Sequence, residues 1–267
     1  MEVWAVINLT PDSFVEESRI RTDEIVSRVK EYFQNGADVI DIGAESSRPF
    51  SLSISEGEEW ERLKQPLFNL KENLEREVFE NRISIDTRKP STVSRVLNTG
   101  VGIINDISGA SDESIVQMVS DHRASIVIMH SQGNPDTMQI NPSYSDVVDD
   151  VLAYLEARSE KCIRAGIKKE NIIWDFGIGF GKTLEHNISL LKNISRFRKS
   201  GFKLMVGVSR KSFIGKMVGI ENIQERKDPT LIIHTLLALK GVDILRVHDV
   251  KSAVQVRTIL SLLNENN

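Results

Sequence analysis

Short β-branched apolar runs alternate with longer amphipathic stretches eight times along this chain. The runs predict strands over Val3–Asn8, Val39–Gly43, Ile83–Thr87, Ile103–Ile107, Ser125–His130, Ile172–Phe176, Lys203–Gly207 and Ile244–Val247. Most are nearly continuous in apolar residues, as parallel strands covered on both faces must be. Between them, apolar residues recur at helical spacing over Asp23–Asn35, Ser91–Gly100, Ser143–Ala165 and Leu184–Ser200. Gly36, Gly100, Gly166 and Gly201 stand where those helices should stop, because a left-handed residue commonly ends a helix. Eight such units in 267 residues predict an α/β fold, a single (β/α)8 TIM barrel forming one domain over residues 1–267. Connections longer than a turn are expected after strands 1, 2, 5 and 7, on the rim where such barrels keep their chemistry.

Composition narrows the classes of function. Charged residues are 27% and hydrophobic residues 40%, as in an ordinary globular protein. A formal charge of −4 argues against nucleic acid as a partner, which needs a basic face. The lone Cys162 excludes an internal disulfide, and its helical setting reads as packing. The start, Met1 to Val6, lacks the basic flank and apolar core of a signal peptide, and no run of apolar residues is long enough to span a membrane. A cytoplasmic protein without a membrane partner is expected.

If the barrel forms, one rim carries Asn8, Ser47-Arg48, Asp86, Asn105-Asp106, His130, Asp175, Ser209-Arg210-Lys211 and Arg246 with His248. Alternate side chains leave a strand on the same face, so Arg246 and His248 project together and suggest a phosphate site. Singly, each residue has a structural reading. Asp86 could cap a helix over Lys89–Leu97, Asp175 could satisfy amides of the glycine-rich loop after it, and Arg210 or Lys211 could face solvent. Their arrival at the same ends of different strands favours one convergent site. The loop Phe176–Thr183 ends in Gly-Lys-Thr, yet Phe176 occupies the position where a phosphate-binding loop requires glycine. Its glycines are read instead as allowing close approach to a flat ligand, with Phe180 as a wall. The five histidines show neither i, i+4 pairing nor a cysteine cluster, which disfavours zinc. Magnesium needs only one protein oxygen beside substrate phosphates, and Asn8 could supply it; an Asx turn before Pro11 is the other reading of Asn8.

Seven segments in order make a set that resembles the dihydropteroate synthases. They are Asn8-Leu9-Thr10-Pro11-Asp12-Ser13-Phe14, Asp41 through Ala44-Glu45-Ser46-Ser47-Arg48-Pro49, Ile85-Asp86-Thr87, Ile104-Asn105-Asp106-Ile107, Asp175 through Phe180, Ser209 through Gly215, and Arg246-Val247-His248-Asp249-Val250. The resemblance implies a transferase of folate biosynthesis, a sulfonamide target that joins a dihydropterin hydroxymethyl diphosphate to 4-aminobenzoate and releases diphosphate. It implies pterin binding by Asp86, Asn105, Ile107, Met129, Asp175, Gly207 and Lys211, and diphosphate binding by Asn8, Ser47, Arg246 and His248 with Mg2+ on Asn8. Ser47, Arg48, Pro49, Phe180 and Ser212 would border the aminobenzoate, and Lys211, Arg246 and His248 would be catalytic. It also implies a homodimer; the apolar helix Pro229–Lys240 reads either as buried or as part of that contact. The chain departs from the family in four places. Strand 1 begins without the usual hairpin that plugs the barrel floor, and Val15-Glu16-Glu17-Ser18 stands where Ser-Asp-Gly-Gly is common. Phe176 replaces proline, and Ser47 replaces threonine. A pterin-binding methyltransferase barrel would not need the anion-seeking residues after strands 7 and 8. A barrel that binds pterin without catalysis is the reading from a different class.

Overall fold

The computed structural model describes residues 1–10, 24–46, 53–133 and 138–264. Eight parallel strands close a barrel in sequence order, β1 (Glu2–Asn8), β2 (Val39–Gly43), β3 (Ile83–Asp86), β4 (Ile103–Asp106), β5 (Ser125–Met129), β6 (Ile172–Asp175), β7 (Lys203–Val206) and β8 (Ile244–Val247). The helices outside are α1 (Ile25–Gln34), α2 (Glu56–Asn73), α3 (Arg76–Arg82), α4 (Pro90–Thr99), α5 (Glu113–Asp121) and α6 (Val147–Arg164). They continue with α7 (Leu184–Lys192), α8 (Ile194–Arg198), α9 (Ser212–Val218), α10 (Lys227–Leu239) and α11 (Val250–Asn264). The four glycines expected at helix ends all have positive φ, at 93°, 106°, 102° and 73°.

Strand parity divides the apolar residues into two layers. Ile40, Ile42, Ile85, Ile104, Ile126, Trp174 and Leu245 face outward into the core shared with the helices. Trp4, Val39, Ile103, Val127, Ile173, Met205 and Ile244 form a separate cluster inside the barrel. This inner layer fills the lower barrel around Trp4, whose indole N–H donates to Glu2 Oε2 at 2.9 Å. Lys203 Nζ meets Glu2 Oε1 at 2.8 Å, so an ion pair lies beside the filled floor. Cys162 is buried, and burial pushes its thiol up to about 11, in keeping with packing.

Several expectations are corrected. Strands 3 to 7 end one residue early, at Asp86, Asp106, Met129, Asp175 and Val206. Leu184–Ser200 is two helices, broken at Asn193, whose side chain bonds back to Ser189 O at 2.9 Å. The connection after β7 is short, residues 207–211, whereas residues 176–183 make a longer one after β6. Asp86 caps nothing: α4 starts at Pro90 with Lys89 as its cap residue. Finally, α10 is not wholly buried, since Ile232, Leu236 and Leu239 are 61%, 52% and 63% exposed.

Candidate active site

Register builds the site. Asn8 pairs with Gly43, Gly43 with Asp86, and Asp86 with Asn105, which sets these residues at one level across four neighbouring strands. Gly43 lies between Asn8 and Asp86: a Cβ there would sit 3.5 Å from Asp86 Cβ and 3.9 Å from Asn8 Oδ1, in ordinary contact with both. Arg246 arrives from β8, its stem beside Gly207, where an added Cβ would be 3.7 Å from Arg246 Cβ. Its Nε donates to Asp41 Oδ2 at 2.6 Å and its Nη2 to Asp86 Oδ2 at 2.9 Å. Burial opposes the guanidinium charge, but Asp41 and Asp86 more than offset this and raise its pKa. Asp86 shows the converse balance: burial pushes it up to about 7 against the pull of Arg246.

The opposite wall comes from β6 and β7. Asp175, raised by burial despite nearby Lys211, accepts the Gly177 N–H at 2.8 Å, so its capping reading and its place at the rim hold together. Gly177 has φ +63°, and a Cβ there would lie 2.0 Å from the His130 carbonyl oxygen, so only glycine fits this turn. Lys211 donates to Ile178 O at 2.6 Å and sits 4.6 Å over the Phe180 ring. Burial lowers it to about 8, with Asp175 opposing. Ile107, Met129 and Phe180 line an adjoining cleft of about 340 Å³. Ser212 is exposed as the first residue of α9. Ser47, Arg48 and Pro49 lie outside the described residues, as does the Val15–Ser18 segment.

Two rim residues, His130 and Asp106, have other roles, as does Lys182 of the glycine-rich loop. His130 is buried behind the glycine-rich loop, with Lys182 Nζ 3.0 Å from its Nδ1. Lys182 also donates to Gly177 O at 3.0 Å and Phe180 O at 2.9 Å, so the lysine of the Gly-Lys-Thr run braces its own loop. Asp106 accepts the amides of Ser108 and Ala110 at 2.8 and 2.9 Å and faces outward. His248 stays at the site, and burial and then Arg246 lower it to about 3, so it is neutral near pH 7. Its backbone N–H meets Ser209 Oγ at 3.4 Å, while its buried Nδ1 has no hydrogen-bond partner among the described residues.

Asp41 is the residue that motif reading passed over. It is fully buried and accepts from Ser84 Oγ at 2.6 Å and Asn105 Nδ2 at 2.9 Å as well as from Arg246. The signal was present, because a carboxylate in the middle of a buried strand requires a partner.

The signature of the family described as pterin binding enzyme matches residues 4–248. A dihydropteroate synthase of Haemophilus influenzae is 38% identical over 250 residues, covering 93% of this chain and 89% of the relative. The Yersinia pestis dihydropteroate synthase, solved in complex with a sulfonamide drug, superposes with a TM-score of 0.91 at 31% identity, covering 99% of this chain and 94% of that one. The Thermus thermophilus dihydropteroate synthase, solved with 4-aminobenzoate, gives a TM-score of 0.85 at 34% identity, with 98% and 94% covered. With barrel, rim and family signature in agreement over nearly its whole length, the chain belongs to the pterin binding enzymes, and among them to the dihydropteroate synthases.

Proposed function

We infer that this chain is an enzyme that condenses 6-hydroxymethyl-7,8-dihydropterin diphosphate with 4-aminobenzoate, giving 7,8-dihydropteroate and diphosphate in folate synthesis. One observation supports this reading above the others. Arg246, His248 and Lys211 share a rim with the acceptors Asp86, Asn105 and Asp175, so one rim offers both an anion-binding edge and a pterin-binding edge.

In this reading Asp86, Asn105 and Asp175 receive the pterin, since ionised carboxylates accept adjacent N–H groups more strongly than neutral acceptors do. Ile107, Met129 and Gly207 border the ring, and Lys211 completes its edge. Arg246 keeps Asp41 as an anchor and turns its Nη groups to the diphosphate, while neutral His248 donates a ring N–H to it. As the carbon–oxygen bond to diphosphate breaks, these donors hold the developing charge. The electron-poor methylene is then attacked by the neutral aromatic amine, so no protein nucleophile is used. Ser47, Arg48, Pro49, Phe180 and Ser212 are assigned to the aminobenzoate, the first three from sequence alone. Sulfonamides, which mimic that substrate, are assigned the same pocket.

Among the described residues no group of three or more His, Cys, Asp or Glu could hold a metal. We assign magnesium to Asn8 Oδ1 and the substrate phosphates, since that ion needs only one protein oxygen beside them. When bound, it adds positive charge for the leaving diphosphate. The class of reaction is group transfer. A homodimer is proposed through α10 and α11, which pack together and expose Ile232, Leu236, Leu239, Ile259, Leu262 and Leu263. Among the described residues no helix is long and apolar enough to cross a membrane, and we assign the protein to the cytoplasm. An assay for diphosphate release by the purified protein tests the proposal. Release that requires both substrates is expected; none with both present would refute it.

A further inference from the structure

Asp41 lies too deep to touch a ligand, yet it holds two groups assigned to different halves of the substrate. Its Oδ2 receives Arg246 Nε at 2.6 Å and Asn105 Nδ2 at 2.9 Å, and its Oδ1 receives Ser84 Oγ at 2.6 Å. None of the carboxylate is exposed. An ionised carboxylate only accepts, so its partners have no choice of orientation. The Asn105 amide must turn its NH2 group toward Asp41, which directs its Oδ1 elsewhere as an acceptor. Arg246 must turn Nε inward, which leaves its Nη edge to Asp86 and the rim. These bonds span 64 and 205 residues of sequence, so they join β2, β4 and β8 across the barrel interior.

We propose that Asp41 is a positioning residue that fixes the polarity of the pterin edge through Asn105 and the direction of the anion-binding edge through Arg246. The proposal rests on the assignments of Asn105 and Arg246 made above. It predicts that one buried group controls affinity for both halves of the pterin substrate without controlling the aminobenzoate. Asp41→Asn keeps the shape but gives the site a donor. A donor there cannot receive all three bonds, so Asn105 can flip or Arg246 can turn.

The test is titration calorimetry with 6-hydroxymethylpterin and, separately, with inorganic diphosphate and magnesium, beside steady-state kinetics. For Asp41→Asn each affinity should fall about tenfold to a hundredfold, the range for a lost charge-assisted hydrogen bond. The aminobenzoate KM, measured at saturating pterin substrate, should stay within about twofold. Combining Asp41→Asn with Asn105→Ala should cost much less than the product of the single effects on pterin affinity, because one acts through the other. Unchanged affinities in a folded Asp41→Asn protein would overturn the proposal, as would an aminobenzoate KM that rises in step with the rest. Asn105→Ala and Arg246→Ala serve as controls on the underlying assignments: if they too leave affinity intact, those assignments fall and the proposal with them. If Asp41→Asn does not fold, Ser84→Ala decides, since it removes one bond to Asp41 and no group assigned to a ligand. A loss of pterin affinity of about twofold to tenfold supports the positioning role, and no loss refutes it.

Discussion

Replacing Arg246 with Met should expose how much of the active site is held under electrostatic tension. The variant keeps most of the stem that runs beside Gly207 and removes only the guanidinium. Asp41 then loses a bond of 2.6 Å and Asp86 one of 2.9 Å, and both carboxylates remain in the barrel interior without their cation. Breaking a buried ion pair from one side costs about 3–5 kcal/mol. Arg246 is 21% exposed, so water can reach part of the vacated space, and the lower end, about 3 kcal/mol, is the better expectation. For a domain of this size that corresponds to a fall in Tm of roughly 6–12 °C. The loss should also depend on pH. Burial already pushes Asp86 up to about 7 while Arg246 opposes it, and removing Arg246 lets the value rise further. A carboxyl whose folded pKa lies above its unfolded one stabilises fully below the unfolded value, and that contribution disappears as pH rises through the folded value. The variant should therefore be most destabilised near pH 8 and recover part of its stability near pH 5. Thermal melts of both proteins at the two pH values measure this directly. A Tm difference that is equal at pH 5 and pH 8, or below about 2 °C at both, would refute the reasoning.

The same groups should shape catalysis: kcat/KM for the pterin substrate should rise through about pH 7 as Asp86 ionises and fall above about pH 8 as Lys211 loses its proton. Asp86→Asn should remove the acid limb, and a wild-type profile flat from pH 6 to 9 would count against both assignments. Asp175→Asn should weaken 6-hydroxymethylpterin binding by about five- to 150-fold, because the amide presents a donor to ligand N–H groups. Calorimetry showing unchanged affinity would sink that role. His248, held near 3 in the free protein by burial and by Arg246, should move up toward neutrality beside a polyanion. Diphosphate binding at pH 6 should then take up protons in the wild type and fewer in His248→Gln; calorimetry in buffers of different ionisation enthalpy reads the difference.

Much of this molecule is local in origin. The alternation of apolar runs and amphipathic stretches specifies eight strand–helix units by itself, because a strand covered on both faces must be apolar throughout. Glycines such as Gly100 and Gly166 mark helix ends for an equally local reason, since the required backbone is left-handed. Strand parity is local too, and it placed Asp86, Asn105, Asp175 and Arg246 on the interior rim. What the chain could not disclose alone is which polar groups meet. Arg246 and Asp41 are 205 residues apart, and Arg246 and Asp86 160, so closure of the barrel decides both pairs. Lys182 turns back on its own loop and His130 withdraws behind it because their neighbours are set by packing, not by spacing. The exposed face of α10 and the neutrality of His248 have the same source. Exposure and proton affinity depend on everything within a few ångströms, and in a barrel most of those neighbours come from distant parts of the chain.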